Sequence, residues 1–309
     1  MKSINTIIKG EKDPKLEEMF NQVIEDIKQD ELLRSYLVDH GIKLNEDKFE
    51  KSMQALFHFK KQYKKCKGCK GLSECTQDNK GFYPALRDHE TFVSLQYVPC
   101  EYKRSNDSRK KVTNNLKSFF VPKKVLNVNF SSVELEHNER NSAIKYALRF
   151  STHYNGDKYM KGCYLHGNFG VGKTYVMSAM ANKLAERGLK VGFVYFPDLI
   201  RELKSAISKG TLESSITEIK TMNVLILDDI GAETSSAWVR DEILGPILQY
   251  RMLDELPTFF TSNKSIADLV KFYSLTRDGV EDVMKAERLR DRIYALSEEV
   301  TMLGDNFRY

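Results

Sequence analysis

The sequence predicts an α/β fold: a parallel sheet flanked by helices and built around a P-loop, preceded by a small helical domain that binds metal. Three observations predict it. From about residue 131 apolar runs suited to buried strands alternate with helical segments. One of those runs leads into a glycine-rich loop and then a helix-like stretch, "YLHGNFGVGKTYVMSAM" at 164–180. Upstream, four of the five cysteines fall between positions 66 and 100.

The N-terminal part, 1–102, reads as helices followed by the cysteine region. Leu16, Met19, Phe20, Val23 and Ile27 recur at helical spacing. "DELLRSYLVDHG" offers Asp30 as an N-cap and Gly41 just past the helix end. "NEDKFEKSMQALFHFKKQYKK" opens on Asn45 as a cap and aligns Phe49, Met53, Leu56 and Phe57 on one face. Three short amphipathic helices cannot each bury a face alone, so they are expected to pack together. "TFVSLQYVPC" alternates and reads as a strand.

Residues 103–130 are polar, basic and poor in apolar periodicity, and read as a partly extended linker. Residues 131–309 form the α/β domain. Its strand-like runs are "CYLHG", "KVGFVYF", "NVLILDDIG", "PTFFTSN" and "EVTML".

Composition sets the outer limits. With 41% hydrophobic and 29% charged residues the chain suits a globular protein rather than a disordered one. No run of about 18 apolar residues offers a membrane span. The apolar stretch in "MKSINTIIKGEKDP" is too short for a secretion signal, so the expected location is cytoplasmic. The net charge of +5 is mild, but "FKKQYKKCKGCK" and 103–124 are locally basic.

The loop "GNFGVGKT" fits G-x-x-x-x-G-K-[ST] at Gly167, Gly172, Lys173 and Thr174, with Gly170 between. Glycines let successive N–H groups converge on phosphate oxygens. Lys173 supplies a mobile cation for the β and γ phosphates, and Thr174 a hydroxyl for Mg²⁺. The helix that follows presents its positive dipole end to the anion. ATP or ADP is therefore the expected ligand.

"NVLILDDIG" supports this reading, because a carboxylate ending a buried strand is costly unless something binds it. Asp228 is the candidate for holding Mg²⁺ with Thr174, and Asp229 for polarising the attacking water. Asn263 ends "PTFFTSN"; read alone it is a turn residue, and its place in the series of strand ends marks it as a water-orienting group.

These motifs in this order resemble the AAA+ ATPases. "LILDDIGAE", "WVRDEILGPILQYRM", "ELPTFFTSN", "TRDG" and the terminal "GDNFRY" are similar to the DnaC/DnaI type of bacterial helicase loader, strongly over 131–309 and more loosely before it. The resemblance implies a primosomal protein whose N-terminal domain holds the hexameric replicative DNA helicase. Its ATPase domain would bind single-stranded DNA and self-associate or form a ring with the helicase. It also implies Arg288 as an arginine finger acting on a neighbour's ATP, with Arg292 as an alternate, and Arg308 as the sensor II arginine. A guanidinium fork suits the charge on a γ-phosphoryl group in flight. Without the resemblance, Arg288, Arg290 and Arg292 read as a solvated helix face with their acidic neighbours. The second acid of the strand-end pair is Asp where many AAA+ members have Glu, which fits a slow, switch-like ATPase. In "FPDLIRELKSAISKG", Arg201, Lys204 and Lys209 are candidates for DNA contact, though they do not share one narrow face.

Cys66-x2-Cys69-x5-Cys75 and the later Cys100 suit tetrahedral Zn²⁺ in a reducing compartment. His89 is an alternate ligand and His58 a more remote one. Cys163, on the strand before the loop, reads as a core residue. Two rival functions remain beside the loader: an IstB-like transposition-associated ATPase, and a zinc-dependent adaptor whose nucleotide site does not hydrolyse.

Overall fold

The architecture is given by a computed structural model that describes residues 14–119, 121, 128–133, 140–275 and 281–306. The chain forms two compact units, 1–107 and 108–309.

In the first unit three helices pack on a hairpin. They are α1 (Pro14–Lys28), α2 (Glu31–Asp39) and α3 (Glu46–Cys66). The expected caps form: Asp30 accepts from Leu33 N–H at 2.9 Å and Asn45 from Lys48 N–H at 2.8 Å. Gly41 lies past the end of α2 with φ +65°, a conformation that costs glycine little. Ile27, Leu33, Tyr36, Leu56 and Phe59 form the core together with Leu86 and Val93. The predicted face of α3 is corrected at one position. Phe57 is 42% exposed, and the buried stripe runs through Lys48, Ser52, Leu56 and Phe59.

The predicted strand is β2 (Val93–Pro99), paired antiparallel with an unpredicted β1 (Phe82–Asp88). Pro84 hides β1 in the sequence, and a two-stranded ribbon tolerates it because both strands are edges. Ser52 Oγ accepts from Val93 N–H at 2.7 Å and Tyr36 OH from Leu86 N–H at 3.3 Å, fixing the hairpin to the helices.

The described part of the expected linker is ordered instead. Residues Glu101–Asn115 form α4, and Leu116–Phe119 form β3. The division between the units falls within α4. No residue of α4 is buried, so it carries no apolar stripe to read. The strand β3 owes its state to pairing with a distant strand rather than to its own pattern.

The second unit holds α5 (Asn141–His153), β4 (Gly162–His166), α6 (Lys173–Glu186), β5 (Val191–Tyr195), α7 (Phe196–Lys209), α8 (Leu212–Lys220) and β6 (Val224–Asp228). A six-residue π-helix, Val239–Leu244, runs into α9 (Gly245–Leu253), followed by β7 (Thr258–Ser262), α10 (Ile266–Ser274), α11 (Val283–Leu296) and β8 (Ser297–Thr301). Six strands make one parallel sheet in the order β3-β5-β6-β7-β4-β8. Strand β6 shows why its run is apolar throughout. Val224 and Ile226 join the core under α5 and α6, while Leu225 and Leu227 join the core under α7 to α11. Cys163 is fully buried as expected, and burial pushes its thiol far up.

One buried cation locks the sheet's lower end. Arg251 is fully buried and donates to Thr258 Oγ1 at 2.8 Å and to the carbonyls of Lys220 (3.0 Å), Met222 (2.7 Å) and Pro257 (2.6 Å). Burial lowers its pKa to about 9, so it stays charged at neutral pH. Removing the guanidinium takes the side-chain donor from the Met222 and Lys220 carbonyls, while the Pro257 carbonyl keeps the Leu225 N–H at 3.1 Å. Arg251→Ala should lower unfolding stability by about 3 kcal/mol or more, measured by urea denaturation; a loss below about 1 kcal/mol would refute this role.

Candidate nucleotide-binding site

The loop 167–172 joins the end of β4 to the start of α6. At Gly167 no side chain fits, because a Cβ would run into the carbonyl oxygen of Met302 just past β8. At Gly172, φ is +96° and a Cβ would lie 2.6 Å from Arg140 Nη2. The loop glycines thus admit close neighbours as well as turning the chain.

Lys173, Thr174, Asp228, Asp229 and Asn263, drawn from three separate stretches, meet around a cavity of about 550 Å³, with Gly170 and Gly172 on its wall. The strand order explains the meeting. β4 and β6 both flank β7, so all three C-terminal ends open to one side.

Lys173 Nζ donates to the Gly167 and Asn168 carbonyls, both at 2.8 Å, and to Asn263 Oδ1 at 2.7 Å. Asp228 is bracketed by hydroxyls: Thr174 Oγ1 at 2.9 Å and Thr261 Oγ1 at 2.6 Å both donate to its Oδ1. Burial raises its pKa to about 6, against the opposing pull of those two hydroxyl donors and of Lys173. Asp229 has φ +59°, rare for a residue with a Cβ. Its N–H donates to Thr261 Oγ1 at 2.9 Å, and Asn263 Nδ2 donates to its Oδ1 at 3.3 Å. That strained turn aims its carboxylate into the cavity.

Sequence reasoning missed three residues here. Tyr195 ends β5 beside Asp228 in the sheet, and its hydroxyl lies 3.5 Å from Asp229 Oδ2. Thr261 was visible as a hydroxyl at a strand's C-terminal end. Arg140 had no usable signal, since one cation before a helix looks solvated; in the fold it is 4% exposed and lines the cavity.

Arg288 and Arg292 line a different cavity, of about 200 Å³, with Arg240 and Lys285. The solvated-face reading fits Arg290, which pairs with Glu287 at 2.9 Å and Asp291 at 3.3 Å. Among the described residues Arg288 and Arg292 have no carboxylate partner; Arg292 Nη1 donates to Gly245 O at 3.2 Å. Arg308 lies outside the described residues. On α7, Arg201 pairs with Asp198 and Lys209 with Glu202, which offsets part of the expected basic character.

In the first unit Cys66, Cys69, Cys75 and Cys100 line one cavity of about 540 Å³. Gln77 Nε2 donates to Cys66 Sγ at 3.0 Å and Gly81 N–H to Cys75 Sγ at 3.4 Å, donors that suit thiolates. Among the described residues, however, no group of three or more His, Cys, Asp or Glu side chains is arranged to hold a metal ion. The alternates fall elsewhere: His89 stacks on Phe92 and bonds Ser94 Oγ, and His58 packs on Phe57.

Residues 156–309 match the family of IstB-like ATP binding proteins, and 1–97 match the family of the primosomal protein DnaI N-terminus. The replicative helicase loader DnaI of Bacillus subtilis strain 168 is 34% identical over 296 residues, 96% of this chain and 95% of the relative. The chain belongs to the DnaI family. A crystal structure of a DnaI protein, 42% identical, superposes with a TM-score of 0.56 over 64% of this chain and all of the other. The DnaC helicase loader, 26% identical, gives 0.51 over 59% of this chain and all of the other. The AAA+ P-loop fold and an ATP-binding site are thus common ground with the DnaI and DnaC loaders. The transposition-type alternative gains no better support: its family match spans 156–309 alone, while 1–97 match the DnaI N-terminus.

Asp228 yields a prediction for the unliganded protein. Its folded pKa is raised from 3.8 to about 6, so the folded state binds its proton more tightly. Stability from this group is therefore lost as pH rises from about 4 to about 6 and stays lost above. Asp228→Asn should raise unliganded stability at pH 7 by on the order of 2 kcal/mol and remove that part of the pH slope. Denaturant titrations between pH 4 and 8 check both; a less stable Asn variant would contradict the assignment.

Proposed function

We propose that this chain is an ATP-dependent loader. It holds the hexameric replicative helicase through its N-terminal unit and delivers it onto single-stranded DNA in the cytoplasm. The observation that carries this is the convergence of Lys173, Asn263, Asp228 and Asp229 at one end of the sheet in a chain of the DnaI family.

The geometry supports the steps at the loop, and the family resemblance supplies the arginine roles. The phosphates enter the loop 167–172, and the Lys173 ammonium turns from its carbonyl partners to their oxygens. Thr174 and Asp228 fit Mg²⁺, since a carboxylate beside a hydroxyl is a hard oxygen donor pair. That ion, when bound, neutralises charge on the β and γ phosphates. Asp229 accepts the proton of a water held by Asn263, and a neighbouring subunit's Arg288, or Arg292, reaches the γ phosphoryl group. The resemblance adds Arg308 as the sensor II arginine. Asp229 is a short acid already engaged by Asn263, so turnover is slow and the nucleotide acts as a switch.

The four cysteines hold a structural Zn²⁺. Closing them onto one ion needs side-chain turns within the cavity they share. The core beneath is small, so the ion adds stability that packing alone does not supply.

Lys173→Ala should abolish stabilisation by MgADP and helicase delivery while leaving helicase capture intact. Unchanged delivery favours the adaptor reading, in which the nucleotide site is structural. Asp229→Asn should retain ATP affinity and lose about a hundredfold in hydrolysis, read in single turnover. The Cys66→Ser, Cys69→Ser double variant should lose about one bound zinc per chain by elemental analysis and melt earlier. Full zinc content in that variant would remove the cysteines from the ligand set.

A further inference from the structure

We propose that Arg140 is a phosphate-binding residue of the nucleotide site, contributed from outside the P-loop. The inference rests on the ATP reading above and adds a second cation to it.

Arg140 immediately precedes α5 and makes no side-chain cap to that helix. Its stem is packed: a Cβ on Gly304 would lie 3.7 Å from both its Cγ and Cδ, so the segment after β8 covers the aliphatic part. Its head meets the loop. The guanidinium lies so close to Gly172 that a methyl group there would reach Nη2 at 2.6 Å. Gly172 is the residue before Lys173, where the first free N–H groups of α6 face the cavity. A guanidinium at that point stands beside the anion-binding concavity. The residue is 4% exposed yet lines the cavity, so the cavity is the opening through which it meets a ligand.

Charge points the same way. Of the ionisable groups on the cavity wall, Asp228 and Asp229 carry two negative charges and Lys173 one positive. Arg140 adds a second cation to that wall, and a bidentate fork suits phosphate oxygens better than a second ammonium would. Gly172 is fixed by its φ of +96°, and its bare Cα also leaves room for the fork.

The test uses the full chain. Direct titration of a fluorescent ADP with Mg²⁺ should show Arg140→Ala weakening affinity by about ten- to a hundredfold. Arg140→Gln keeps the stem under Gly304 and removes the charge. It should lose affinity to a similar extent while its unliganded melting temperature stays close to wild type. Binding of adenosine, which has no phosphate, should be unaffected in both. Wild-type ADP affinity in the Gln variant, or an equal loss for adenosine and ADP, overturns the assignment and leaves Arg140 a packing residue. If wild type itself takes up no MgADP, the nucleotide reading fails and this one with it. If wild type binds and only the variants are unchanged, this one fails alone.

Discussion

The site depends on one buried carboxylate. Asp228 sits at the C-terminal end of the central strand β6, almost out of water, and accepts from the hydroxyls of Thr174 and Thr261. Those two residues belong to the helix after the P-loop and to the neighbouring strand. A charge in that place is tolerated only if its lone pairs are satisfied, so the two hydroxyls are tied to it. The same bonds hold the helix start, β6 and β7 in fixed relation. Thr261 also accepts from the N–H of Asp229, which carries the fixed geometry on to the strained turn. The raised pKa of Asp228 is the energetic mark of that burial.

Much of this was legible in the sequence because it is written locally. A P-loop is a fixed spacing between a strand and a helix. A strand ending in Asp-Asp announces itself through the misfit between apolar run and charge. The helix caps Asp30 and Asn45 were readable for the same reason: a cap bonds to a backbone only three residues away. What stayed hidden is non-local. The strand β3 exists because β5 offers it a ladder, and α4 has no buried face to betray it. Phe57 was misplaced because α3 buries Ser52 and Lys48, polar residues whose partners Val93 and Asp88 lie on the hairpin, 41 positions ahead in the case of Ser52. Arg140 and Tyr195 join the site only when the sheet order is known.

The two units reach order by different means. The second has two apolar layers that sandwich a parallel sheet, and its polar core groups are satisfied internally, as Arg251 illustrates. The first has a single small core and a cavity edged by thiols. Burial raises the pKa of Cys66, with the neighbouring thiols adding to the effect, although Gln77 donates to its sulfur.

The bond between Lys173 and Asn263 has a consequence of its own. At 2.7 Å it occupies the ammonium with an acceptor from a different strand. Any oxyanion arriving in the loop competes for that same proton, and a charged acceptor outbids an amide oxygen. An oxyanion that took the ammonium from Asn263 as well as from the two loop carbonyls would free a side chain at the tip of β7. Since the other end of that amide already touches Asp229, the released group can reorient against the acid that faces the water. Occupancy would then be read as the attitude of one asparagine, passed between adjacent strands within the length of a single side chain.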